Sequence, residues 1–308
     1  MHYTLDLEAL NTLWLSLSED ILLGISTRIS LILALRLFLA PAPLLAAEST
    51  IDFPSVAADV PYEEVEALPF RPAEHKLAYG DDPLQYALLW NPVLEQDATP
   101  KALIVFIHGG CWLNAYDIEH SYALSTALSQ EGYAVLSLEY RRTGDAGGGW
   151  PGTFEDIRAA FAFAEQLQSS DLNPLPVVAL GHSAGGHLAL LVGAQEQNLK
   201  GVVGLAAITD IISYAQGENS CETATSQFMG GDYASKTAQY QAANPAQMRP
   251  HANTFLLQGS ADTIVAPTQA NIAGALTITL EGAGHFDWVH PGSPAFQTLL
   301  STLSATLQ

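Results

Sequence analysis

The chain has 308 residues, 48% hydrophobic and 14% charged, apolar enough to build a core and too weakly charged for a disordered tail or a heptad rod. Eleven Lys and Arg face 32 Asp and Glu, a formal net charge of −21, which repels phosphate backbones and anionic headgroups, so neither nucleic acid nor a stable membrane partner is expected. Its two cysteines form no C-x-x-C pair, and no metal or cofactor is expected.

The chain opens on a leader pattern. Residues 21–47 carry an apolar run behind Arg28 that closes on prolines and small residues before Glu48, as a secretory signal ending near Ala47 does. Residues 1–20 hold Asp6, Glu8, Glu19 and Asp20 but no Lys or Arg, and Leu45 is larger than a cleavage site prefers. A natural start further down the chain would explain the missing basic region. An uncleaved anchor is the alternative, disfavoured by Arg36 and Pro41 within the apolar stretch. Residues 1–47 are therefore expected to be an extension and a removed signal, which makes the protein secreted or periplasmic.

Residues 48–82 contain Pro54, Pro61, Pro69 and Pro72, too many breakers for a long element, and are expected to be a lead-in over the surface. Residues 83–308 alternate short apolar runs with helical patterns. Strands are predicted at 84–90, 102–108, 134–140, 177–181, 202–206, 254–258 and 275–280. Helices are predicted at 118–130, 154–168, 184–194, 267–273 and 294–307. This order predicts one α/β catalytic domain, a mostly parallel sheet with helices on both faces. The polar stretch 210–250 is the expected small insertion over the sheet's C-terminal edge, where substrate selection would lie.

The strand before His108 runs into His108-Gly109-Gly110-Cys111-Trp112. Glycines there let backbone N–H groups approach a developing oxyanion, and Gly110 and Cys111, with Ala184, are the predicted donors. His108 is expected to brace the loop. The strand 177–180 runs into Gly181-His182-Ser183-Ala184-Gly185-Gly186 and then a helix, the strand–turn–helix setting of a G-x-S-x-G nucleophile elbow. A side chain at Gly181 or Gly185 would collide with neighbouring backbone, so the turn holds Ser183 out as the predicted nucleophile. The plain alternative is a glycine-rich turn packing a helix on a strand.

On this fold the acid follows the serine and the histidine comes last. Asp262, turning off the strand 254–258, is the predicted acid, with Asp210 as its competitor. His285, in the loop after the strand 275–280, is the predicted base. His187 is carried away along the helix, His251 lies at the wrong edge, and His290 is the remaining candidate. Asp287 is expected to brace the loop.

With elbow, glycine loop and partners in this order, the chain resembles the α/β-hydrolase superfamily from about Leu84 to its end. The segment 108–112 is similar to the H-G-G-x-W loop of kynurenine formamidase-like and related carboxylesterases, Cys111 standing where hormone-sensitive-lipase-like enzymes have a third glycine. Glu139-Tyr140-Arg141-Arg142 and Trp150-Pro151-Gly152-Thr153-Phe154-Glu155-Asp156 are similar to the same group. The resemblance implies a serine carboxylesterase that cleaves small ester substrates through an acyl-enzyme, with a Ser183-Asp262-His285 triad. An arylformamidase or other amide hydrolase is the alternative. Formamidases of this kind are cytoplasmic, and the leader pattern favours the esterase. Non-catalytic binding proteins of the superfamily usually lack the serine or the histidine, whereas this chain has all three. The motifs fix no oligomeric state. Cys111 in the oxyanion loop and Cys221 in the insertion are expected to meet as a disulfide, two buried free thiols being the alternative.

Overall fold

Leu103–Ile107 is an unbroken apolar run because both faces of this strand are covered. Leu103, Val105 and Ile107 enter one core cluster, and Ile104 and Phe106 enter the other. Successive side chains of a strand point to opposite faces, so a central strand cannot afford a polar position on either. The computed structural model describes residues 50–96, 98–168, 174–196 and 198–308. The expected leader lies outside them, and none of the described helices is long and apolar enough to cross a membrane.

The described strands are β1 (His75–Ala78), β2 (Tyr86–Trp90), β3 (Leu103–Ile107), β4 (Ala134–Leu138), β5 (Val177–His182), β6 (Gly201–Leu205), β7 (Thr254–Gly259) and β8 (Leu276–Leu280). They form one sheet in the order β1-β2-β4-β3-β5-β6-β7-β8. Only β2 runs against the rest, antiparallel to both neighbours; from β4 to β8 the pairing is parallel. The described helices are α1 (Tyr62–Glu66), α2 (Tyr122–Gln130), α3 (Gly152–Gln168), α4 (Ala184–Gln195), α5 (Ile211–Tyr214), α6 (Ser220–Phe228), α7 (Thr237–Ala242) and α8 (Pro294–Thr306). Helices α3 and α4 cover one face, and α2 and α8 cover the other. The expected α/β-hydrolase architecture is thereby present.

Three expectations need correction. The lead-in is not all irregular: it holds α1 and contributes β1, so the boundary expected at residue 83 falls inside the β1–β2 hairpin. The helix predicted at 267–273 is a single 3₁₀ turn, Pro267–Gln269. Gln269 turns its buried side chain into a brace, accepting from the amides of Thr209 (2.9 Å) and Asp210 (2.8 Å). The insertion 210–250, read as poor in pattern, forms α5, α6 and α7.

Two of the links between this insertion and the body run to α4 and to the loop after β3. His187 of α4 donates from Nε2 to the Ala243 carbonyl at the end of α7 (2.7 Å). The second link is covalent: Cys111 is joined to Cys221 across 110 residues of chain, with Cα atoms 5.0 Å apart. Reduction should lower thermal stability, since a loop of this length contributes about 4–5 kcal/mol in the chain-entropy model. Calorimetry with and without reductant tests this; an unchanged Tm would refute it.

His187 is also a source of acid lability. Burial pushes its pKa from 6.5 to about 4, so between these values the unfolded chain binds a proton that the folded one does not. Stability is complete above about pH 6.5 and declines as pH falls towards 4, His187 alone contributing a loss on the order of 3 kcal/mol. Denaturant unfolding at stepped pH should show this slope, and His187→Gln should make it shallower, the buried His120 and His182 supplying the remainder; an equally steep slope in the variant would contradict the assignment.

Candidate active site

Four loops at the C-terminal ends of parallel strands converge. The chain passes from β3 to β4 on one side and to β5 on the other, so the gap between β3 and β5 is the point at which strand order reverses and open α/β sheets bind ligands. The loop 108–112 leaves β3 and the elbow leaves β5 at that gap. Asp262 follows β7 and His285 follows β8.

Ser183 sits at φ 57° and ψ −120°, a conformation costly for a residue with a side chain and held by its surroundings. Its amide donates to the Leu205 carbonyl (2.8 Å). A Cβ on Gly181 would meet the Gly185 carbonyl, and one on Gly185 would meet the Ile107 and His108 carbonyls. The two motif glycines therefore let α4 lie against both strands. The β3 loop carries three successive left-handed residues, Gly110 (φ 100°), Cys111 (φ 53°) and Trp112 (φ 57°). Gly110, Cys111 and Ser183 line one cavity of about 280 Å³. Ala184 is fully buried at the first position of α4, where helix amides lack an intrahelical acceptor.

His285 and Ser183 line the same cavity, and His285 Nδ1 lies 2.8 Å from Asp262 Oδ2. Asp262 is buried and fully engaged. Its Oδ1 accepts from the amides of Ile264 (2.9 Å) and Val265 (2.8 Å), and its Oδ2 also accepts from Gln258 Nε2 (3.2 Å). The carboxylate is thus fixed before it meets the imidazole. The three predicted triad positions are together.

The competitors have other work. Asp210 caps α5, accepting from Ile212 and Ser213 amides and from Asn244 Nδ2. His251 and His290 accept local amides, and burial lowers the His290 pKa. Asp287 accepts from the amides of Gly284 (3.0 Å), Asp59 (2.9 Å) and Val60 (3.0 Å), tying the His285 loop to the lead-in. His108 braces as expected, with Nε2 3.1 Å from Glu139 Oε1 and Nδ1 2.8 Å from the Gly109 carbonyl.

Sequence reasoning passed over His182. Its Nε2 donates to the His285 carbonyl (3.0 Å), and its ring lies 4.6 Å from the His285 ring. Burial, with His285 beside it, holds its pKa well below the ordinary value, so it acts as a neutral prop. Tyr62 and Glu63 from the lead-in, Tyr116, His120 and Phe286 also line the cavity, whereas the insertion contributes Ser220 and Cys221. No local motif marks these wall residues. Among the described residues no group of three or more His, Cys, Asp or Glu is placed to hold a metal ion.

Comparison with known proteins agrees with this fold. The BD-FAE family model matches residues 92–275, more than half of the chain. Esterase LipC of Mycobacterium tuberculosis is 31% identical over 121 residues, 38% of this chain and 29% of that protein. Lipase 2 of a Moraxella species is 37% identical over 103 residues, 33% of this chain and 23% of that protein. The aligned stretches thus span under a third of either relative. Among solved structures, esterase B from Lactobacillus rhamnosus superposes with a TM-score of 0.64 at 21% identity, over 80% of this chain and 90% of that one. A truncated carbohydrate esterase from gut microbiota gives 0.64 at 18% identity, over 77% of this chain and 97% of that one. Elbow, glycine loop, strand order and family match converge: the chain is an α/β hydrolase and belongs to the BD-FAE family.

Proposed function

We propose that the protein is a serine carboxylesterase acting on small esters. The observation that carries this reading is the His285–Asp262 contact of 2.8 Å at a cavity shared with the elbow serine. Ser183 Oγ attacks the ester carbonyl as its proton passes to His285 Nε2, and Asp262 holds the ring with Nδ1–H towards the carboxylate. The oxyanion is received by the amides of Gly110, Cys111 and Ala184, a group of donors each typically worth about 3 kcal/mol in the transition state. His285 then protonates the leaving alcohol. A water that gives its proton to the same imidazole hydrolyses the acyl-enzyme, and Ser183 recovers its hydrogen as the acid departs. The esterase and lipase named above, similar over part of their length, support an ester as substrate.

The same reading includes export. The apolar segment before Glu48 and the Cys111–Cys221 bridge both suit a protein that matures in an oxidising compartment. Mass spectrometry of protein made in a secreting host should find a mature N-terminus near Glu48. An intact Met1 in the soluble exported fraction would contradict this.

Ser183→Ala should lower hydrolysis of a short-chain aryl ester by on the order of 10⁶ and abolish labelling by a fluorophosphonate. Retention of more than a few per cent of activity would exclude Ser183 as nucleophile. Asp262→Asn should lose on the order of 10⁴ in turnover, far more than Asp210→Asn; the reverse ranking would move the acid to the earlier loop.

A further inference from the structure

A second cavity, of about 320 Å³, adjoins the one at Ser183, and Tyr62, Tyr116 and His120 form the wall common to both. Glu66, Asp117 and Glu119 line it, and its described lining includes no Lys or Arg. Asp117 commits Oδ1 to the Glu119 amide (2.9 Å), which leaves its other oxygen available. The rings of Tyr62 and Tyr116 meet edge to face at 6.0 Å, and Tyr122 adds a third aromatic side chain.

The common wall carries no positive charge, and the carboxylates lie on the side of the second cavity. His120 is only 6% exposed, and its Nδ1 has no hydrogen-bond partner among the described residues. Burial and the neighbouring His108 push its pKa to about 3, so it adds no positive charge at neutral pH. Burial and the nearby Glu66 raise the Tyr62 pKa, so its hydroxyl stays neutral. What faces the cavity is therefore three carboxylates, aromatic surface and a neutral imidazole. Carboxylates gathered without a counter-charge repel one another, and a cation beside aromatic faces relieves that repulsion while gaining attraction from the rings. A neutral polyol would supply hydroxyl donors without removing the charge imbalance.

We propose that this second cavity is a subsite for an ammonium-bearing arm of the ester substrate, reached past Tyr62, Tyr116 and His120 while the ester carbonyl lies at Ser183. The inference rests on the serine-esterase reading. It assigns to the α1 segment and the loop after β3, rather than to the insertion alone, the selection of substrate.

Two isosteric pairs test it. One is choline acetate against its uncharged tert-butyl analogue, with charge on the alcohol side. The other is the aryl ester of a trimethylammonio acid against its tert-butyl counterpart, with charge on the acyl side. In at least one pair the cationic member should show a kcat/KM higher by on the order of 10-fold at low ionic strength. That ratio should shrink as salt is added. In the combined variant Glu66→Gln, Asp117→Asn, Glu119→Gln it should fall towards one, the uncharged partner serving as internal reference. Should that variant fail to fold, Glu66→Gln alone, at an exposed position, carries the same comparison. Equal hydrolysis within both pairs, or a preference that survives the substitutions, overturns the subsite while leaving the esterase reading intact. Failure to hydrolyse any of these esters, or a neutral aryl acetate, overturns the esterase reading itself.

Discussion

The close approach of α4 to the ends of β3 and β5 is the contact on which the rest of the site depends. At Gly185 the helix backbone lies so near the Ile107 and His108 carbonyls that no Cβ fits between them, and Gly181 is pressed on Gly185 in the same way. This removes side-chain packing at the crossing and replaces it with backbone on backbone. The serine between these glycines is then left with one conformation, at φ 57°. A larger residue at either position would push α4 outwards, and its first amides would move away from the loop 108–112. Strain at Ser183 is thus a consequence of packing spread over two strands and a helix, and it persists because all three would have to move to release it.

The loop 108–112 is held from behind by a buried charge cluster. Glu139 is buried and accepts from the amides of Tyr140 (2.9 Å) and Ile118 (3.2 Å), with His108 Nε2 at 3.1 Å and Arg142 Nη1 at 3.5 Å. Burial raises its pKa, but His108 and Arg142 outweigh that effect and the net shift is downwards. Tyr140 stacks on the His108 ring at 4.4 Å and donates its hydroxyl to the His108 carbonyl (2.8 Å). Arg141 turns the other way, gripping Asp156 through Nε (2.9 Å) and Nη2 (2.6 Å). Removing one partner would leave a charge buried without compensation, which is far more destabilising than the pair is stabilising.

That cluster shows why some features were legible in the sequence and others were not. Segments 139–142 and 150–156 carry a family resemblance in the sequence, and only the fold reveals their use: they join the loop behind His108 to α3. Ser183, Asp262 and His285 are legible as candidates because each lies just past a predicted strand and the chain order assigns each an expected role. The strand β1 escaped because it is an edge strand with three of four residues exposed, which erases the alternation that marks a half-buried strand. The helix α1 escaped because it buries only Val65. His182 could have been suspected from its place beside the serine, yet its bond to the His285 carbonyl spans 103 residues. Tyr62 and Tyr116 are the same kind of case, since a wall assembled from a short helix and a distant loop leaves no local pattern.

The insertion has a mechanical role in addition to any part in selection. Cys111 and Trp112 both lie in the left-handed region, where a residue with a Cβ costs on the order of 1–2 kcal/mol. Helix α6 meets both of them. Cys221, in its first turn, is bonded to Cys111, and Phe228, its last residue, stacks on Trp112 with rings 4.7 Å apart and nearly parallel. The Trp112 carbonyl in turn accepts from the Thr143 amide (2.8 Å), which links the loop back to the segment after Glu139. One helix therefore pins two adjacent unfavourable residues, by a covalent bond at one end and an aromatic stack at the other. Loss of the bridge would leave the stack to oppose the strain at Trp112, while Cys111 would be free to relax to negative φ and turn its amide. The geometry of the loop 108–112, which carries two of the proposed oxyanion donors, and the stability of the insertion are for this reason one structural unit, although Cys111 and Cys221 are 110 residues apart in the chain.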